Sequence, residues 1–192
     1  MGDFAQRVEK AALLSGEGTL IRRAYPEKGF PSDEAAGEDF LRPFFDVTGA
    51  DFASAQGADF SRILHEASYL AAGTEGAAAE DGAGVGDHLA SVFNGFGDEV
   101  GSPTVFPVCE WTGDVARLPY LQPAEKARPS REAYQRLAEG LKEAFCRTPI
   151  SQMTPEELAT VLERFMSYVP SAEAADISLY DQAKVRAAFA VS

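Results

Sequence analysis

Two histidines and two cysteines are the scarce reactive side chains of this chain, so any metal or nucleophilic chemistry has few places to reside. His65 is followed by Glu66, and His88 is preceded by Asp87. A neutral imidazole beside a carboxylate can ligate a divalent cation, but a hydrated dication needs several such donors to offset its dehydration. A lone helix or loop histidine is more often structural or solvated, and neither is assigned as a ligand on its own. Cys109 and Cys146 lie far apart without a CxxC, which suits a reducing compartment and argues against a zinc site or a disulfide framework. The Gly16-Glu17-Gly18-Thr19 turn lacks the lysine and the glycine spacing of a phosphate loop.

The elements that would position these residues read as mainly helical. With 192 residues and 45% apolar content the chain can bury a core as a single domain. The spacing predicts a first helix from an Asp3 cap to about Ala24, carrying Phe4, Val8, Ala11, Ala12, Leu13, Leu14, Leu20 and Ile21. Ser32 is placed to cap a second helix with Phe40, Leu41, Phe44 and Phe45. Phe60, Ile63, Leu64, Ala67 and Ala71 predict a third. Residues 71–86 hold five glycines among alanines and acids and predict a flexible loop. A short helix is expected over Leu89 to Phe93 and a strand or extended edge over Thr104 to Trp111, where Pro107 excludes a central position. Ser130 is placed to cap a helix lined by Tyr134, Leu137, Leu141, Ala144 and Phe145. Thr154-Pro155-Glu156-Glu157 combines an N-cap, a first-turn proline and a capping box ahead of Leu158, Val161, Leu162, Phe165 and Met166. Asp176 or Ser178 starts the last helix, through Lys184 to Ala190, with Asp181 and Lys184 spaced as a surface ion pair.

A net charge of −13 and a pI near 4.5 oppose a free-standing nucleic-acid binder, whose affinity rests on cationic contacts to phosphate. Arg22 with Arg23, Lys126 with Arg128 and Arg131, and Lys184 with Arg186 form small basic groups, read as solvated surface. No apolar run reaches the ~18 residues of a membrane span, and no basic leader precedes an apolar stretch. A cytoplasmic protein without membrane partners is expected.

One string is too particular for generic packing. Val169-Pro170-Ser171-Ala172, then Asp176-Ile177-Ser178-Leu179-Tyr180-Asp181-Gln182 and Lys184, resembles the close of the N-terminal HD-type nuclease domain in the large signature subunit of type III CRISPR effector complexes. That family carries a histidine where Gln182 stands. Its first-helix frame, Leu-Leu-His-Asp-Ile-Gly-Lys followed by Gln-Arg-Ala, is similar to Leu13-Leu14-Ser15-Gly16-Glu17-Gly18-Thr19 followed by Arg22-Arg23-Ala24. Its Ala-Asp-x-Leu-Ser-x-Gly turn is similar to Ala67-Ser68-Tyr69-Leu70-Ala71-Ala72-Gly73. Weaker echoes fall at Leu89 to Asn94 and Val105 to Val108.

The resemblance implies an HD-like helical bundle over residues 1–192 in which Ser15, Gly16, Ser68 and Gln182 replace the family's metal ligands. Of these only Gln182 can coordinate, weakly and without charge. A degenerate domain without nuclease activity, metal or cofactor is therefore expected, acting as a structural module in an RNA-guided antiviral complex. Implied partners are the palm domains of the large subunit, the other effector subunits and, through them, guide RNA and target RNA or DNA. No Gly-Gly-Asp-Asp cyclase motif occurs in these residues, so the palm is expected elsewhere, on the same or another chain. Two alternatives stand beside this reading. One is a single-strand DNase with displaced ligands from Asp33, near a position where some family members carry a further histidine, and His65 and Glu66. The other is an unrelated acidic helical interaction module.

Overall fold

The computed structural model describes residues 2–44, 87–91, 94, 103–114, 118–128, 131–172 and 174–192. Among them run helices α1 (Gly2–Leu13), α2 (Glu17–Ala24), α3 (Asp33–Leu41), α4 (Arg131–Arg147), α5 (Pro155–Met166) and α6 (Leu179–Val191). Short 3-10 turns occupy Pro26–Lys28, Arg42–Phe44, Ala124–Lys126 and Ile150–Gln152. The helical class is as expected, with one small antiparallel sheet of β1 (Thr104–Val105) and β2 (Gln122–Pro123). The predicted helix over 60–71, the loop 71–86 and the Ser130 cap lie outside the described residues.

The first predicted helix is two helices. Apolar spacing continues across the break, but Ser15 and Gly16 are poor helix formers, and the Ser15 hydroxyl donates back to the Ala12 carbonyl at 2.6 Å. The chain turns there, so α1 packs on α5 and α6 while α2 packs on α3 and α4. Asp3 lies inside α1 rather than before it. A Cβ on Gly18 would lie 1.9 Å from the Asp33 carbonyl oxygen, so only glycine lets α2 approach α3 this closely.

The core forms where these faces meet. Leu20 and Ile21 of α2, Tyr134, Leu137, Leu141 and Phe145 of α4, and Leu158, Leu162, Phe165 and Met166 of α5 are buried, with Leu179 and Ala183 of α6. Each large apolar side chain removed from water contributes roughly 1.5–3 kcal/mol. The expected caps form as well. Thr154 and Glu157 make a reciprocal capping box, Ser178 accepts from the Asp181 amide at 3.0 Å, and Ser32 accepts from Ala35 at 3.2 Å.

The expected short helix at 89–93 does not begin as one: Leu89 to Ser91 is extended. Ala90 bridges Val105, the Ser91 amide donates to the Thr104 carbonyl at 3.0 Å, and the Phe106 amide donates to Leu89 at 2.8 Å. The Ala90 amide donates to the Ala175 carbonyl at 2.7 Å, which joins this segment to the C-terminal string. The expected strand over 104–111 is confined to Thr104–Val105.

Candidate functional site

The C-terminal string folds into a closed loop between α5 and α6. Pro170 bridges Ser178, the Leu179 amide donates to the Val169 carbonyl at 2.8 Å, and the Ser171 amide donates to Ile177 at 2.8 Å. Inside it the buried Ser171 hydroxyl accepts from the Ala174 amide at 2.9 Å. The Arg23 guanidinium reaches this loop from α2, donating to the Pro170 carbonyl at 2.6 Å and lying 5.8 Å from the Tyr134 ring centroid. Two stretches that stand apart in sequence, Arg22-Arg23-Ala24 and Val169 to Ser178, are thereby joined physically.

Ser15 and Gly16 form the turn between α1 and α2 and face α6. A Cβ on Gly16 would meet the Met166 methyl at 2.9 Å and the Leu179 carbonyl oxygen at 3.5 Å. The Ser15 hydroxyl is 3.2 Å from a guanidinium nitrogen of Arg186, which donates to it. Leu179, Gln182 and Arg186 are spaced three and four apart on α6 and so share a face. Gln182 is buried. Ser15 and Gly16 thus lie in the α1–α2 turn beside α6, the helix that carries Gln182, whereas Ser68 lies outside the described residues.

Gly16 has no side chain, and the Ser15 hydroxyl donates to the Ala12 carbonyl and accepts from the Arg186 guanidinium. Sequence spacing did not single out Glu17, which is 4% exposed and whose Oε2 has no hydrogen-bond partner among the described residues. Burial pushes its pKa up to about 8, against the opposing pulls of its own backbone amide and of Arg186. A glutamate flanked by the apolar pairs Leu13-Leu14 and Leu20-Ile21 is the signal that could have found it.

The alternative ligand set is not assembled by the described residues. Asp33 accepts from the Thr19 hydroxyl and pairs with Arg22 at 2.6 Å, while His65 and Glu66 lie outside the described residues. His88 is buried, and desolvation lowers its pKa despite the Asp87 charge and a hydrogen bond to the Arg128 backbone. Among the described residues no group of three or more histidine, cysteine, aspartate or glutamate side chains could hold a metal ion. Asp181 and Lys184 form the expected exposed pair at 2.8 Å.

A cleft of about 670 Å³ opens between α2, the Pro26–Lys28 turn and α4. Arg22, Arg23 and Arg131 line it together with Tyr25, Phe30 and Tyr134. The sequence assigned these arginines to two separate basic groups on solvated surface, and the fold brings them onto one concavity.

No protein-family model matches the sequence, and no curated protein matches it. Among solved structures, a chain of the crystal structure of a Csm1-Csm4 cassette in complex with cA4 is similar, with a TM-score of 0.65 and 20% identity. The likeness covers 97% of this chain and 27% of that one, so the fold is shared with part of a longer polypeptide. No helix among the described residues is long and apolar enough to cross a membrane.

Proposed function

We propose that the chain is an HD-like domain of the large subunit of a type III CRISPR effector complex, serving as a cytoplasmic scaffold without metal-dependent nuclease activity. The fold shared with a Csm1-Csm4 cassette supports the assembly half of this reading, since it spans nearly the whole chain. The Arg186 guanidinium on Ser15 carries the other half. A cation fixed beside a would-be ligand opposes a dication there, and a side chain at Gly16 would require movement of the Met166 methyl. The domain's work is then to pack against the palm domains and neighbouring subunits, meeting guide RNA and target only through the complex.

The test joins metal content to assembly. Purified protein is expected to hold no stoichiometric manganese and to leave single-stranded DNA intact in manganese buffer. Co-expression with type III subunits should recover it in a guide-RNA complex. Stoichiometric metal with cleavage lost in His65→Ala would replace the scaffold by a displaced-ligand nuclease, and absence from the assembled complex would overturn the family reading.

A further inference from the structure

We propose that the cleft between α2 and α4 binds a nucleoside monophosphate. This inference stands apart from the scaffold role, because it rests on the cleft alone. Its volume, about 670 Å³, falls in the range of small-molecule sites. Its walls carry three guanidiniums against the carboxylates of Asp33 and Asp87, in a chain whose net charge is −13. The lining carries a small excess of cations, offset by the Glu27 carboxylate that pairs with Arg131, in a molecule that is acidic overall.

The arginines have donors to give. Arg22 spends one nitrogen on Asp33 at 2.6 Å, and Arg131 spends one on Glu27. A guanidinium presents five N–H donors in a fork that matches phosphate oxygens. Both side chains are about half exposed, at 47% and 52%, so these pairs are weak and compatible with a second anion. Arg23 is committed to the Pro170 carbonyl and serves as wall rather than ligand. The half-buried rings of Tyr25 and Phe30, each with the Lys28 ammonium 5.4 Å from its centroid, add apolar surface, which suits a planar base more than a bare inorganic anion, while the buried Tyr134 lies beneath as floor. Asp87 supplies a carboxylate suited to a sugar hydroxyl. Gly29, left-handed at φ +63 with nothing within 4 Å of its Cβ direction, leaves the rim open.

Calorimetric titration of the 192-residue protein with AMP, adenosine and orthophosphate tests this. AMP is expected to bind saturably, roughly tenfold or more tighter than either fragment, with affinity falling as salt rises. Arg22→Gln and Arg131→Gln should each weaken AMP by about fivefold or more, while Arg147→Gln, on the same helix as Arg131 but outside the cleft lining, should not. Orthophosphate binding as tightly as AMP, no saturation by about 5 mM, or indifference to both cleft substitutions would each overturn the proposal. A short oligoadenylate bearing a 5′-phosphate distinguishes the ligand's source. Competition with AMP by the phosphorylated strand alone assigns the site to strand ends, no competition assigns it to free nucleotide, and equal competition by the 5′-hydroxyl strand counts against monophosphate recognition.

Discussion

Among the described residues, Glu17 is a buried carboxyl whose titration bears on stability. Its carboxyl is buried against α3, where a Cβ on Gly37 would lie 2.6 Å from Oε1, and its pKa of about 8 stands above the ordinary 4.5. The native state therefore holds a proton that the unfolded chain releases between those two values. The contribution to stability is fully present below pH 4.5 and is lost as pH rises through about 8. One unit of displacement corresponds to about 1.4 kcal/mol, so the effect across this window is on the order of a few kcal/mol. Glu17→Gln, which stays neutral, is expected to flatten the profile, unfolding at higher denaturant than the parent at pH 9 and near it at pH 5. Parallel parent and variant curves across pH 5, 7 and 9 would show that Glu17 does not titrate in this window. At this scale the sequence was only partly legible. It marked Ser15, Gly16 and Gln182 as anomalous through a resemblance, but the partners that define their surroundings, Met166 and Arg186, lie more than a hundred residues from Ser15 and carry no local signature.

At the scale of elements, what could be read was what is local. Thr154 with Glu157 and Ser178 with Asp181 satisfy helix-start amides within four residues; the first cap appears as its spacing predicts, and of the two starts open for the last helix, Asp176 and Ser178, the structure takes Ser178. The Leu89 to Ser91 segment could not be read this way, because its hydrogen bonds go to Thr104, Phe106 and Ala175. The division of the first helix was hidden for a related reason: Leu13, Leu14, Leu20 and Ile21 are all buried, so apolar spacing persists while the backbone turns beneath it. The two caps differ in what they secure. Thr154 starts a helix on the core's main face, whereas Ser178 also sits on the bridge that closes the 170–178 loop. Thr154→Ala is expected to cost about 1 kcal/mol, within the usual range for a lost cap. Ser178→Ala should cost at least as much and should also speed amide exchange at Ser171 and Leu179, whose hydrogen bonds close that loop. Unchanged exchange there with an equal loss of stability would reduce Ser178 to a simple cap.

Across the whole molecule, the α1–α2 segment is tied twice to the C-terminal segment, by Arg23 of α2 on the Pro170–Ser171 corner before α6 and by Arg186 of α6 on Ser15 in the α1–α2 turn. The second tie lies at Ser15 and Gly16, two of the inferred ligand positions, beside the helix that carries Gln182. Restoring Ser15→His, Gly16→Asp, Ser68→Asp and Gln182→His would return donors while leaving the guanidinium in place. Gly16 is the N-cap of α2, where aspartate is favoured, and the atom its Cβ would crowd is the Met166 methyl at the end of a flexible side chain. Steric cost is therefore the smaller obstacle and charge the larger. The fourfold variant is expected to fold and to bind manganese weakly. Adding Arg186→Gln removes the fixed cation and should raise manganese affinity by roughly tenfold or more, as removal of a like charge in a partly desolvated site requires. Metal content after gel filtration, together with a thermal shift on adding manganese, measures both variants. A fivefold variant that folds without gaining manganese would mean that these four side chains do not converge, and the correspondence between Ser15, Gly16, Ser68, Gln182 and the family's ligands would fall with it.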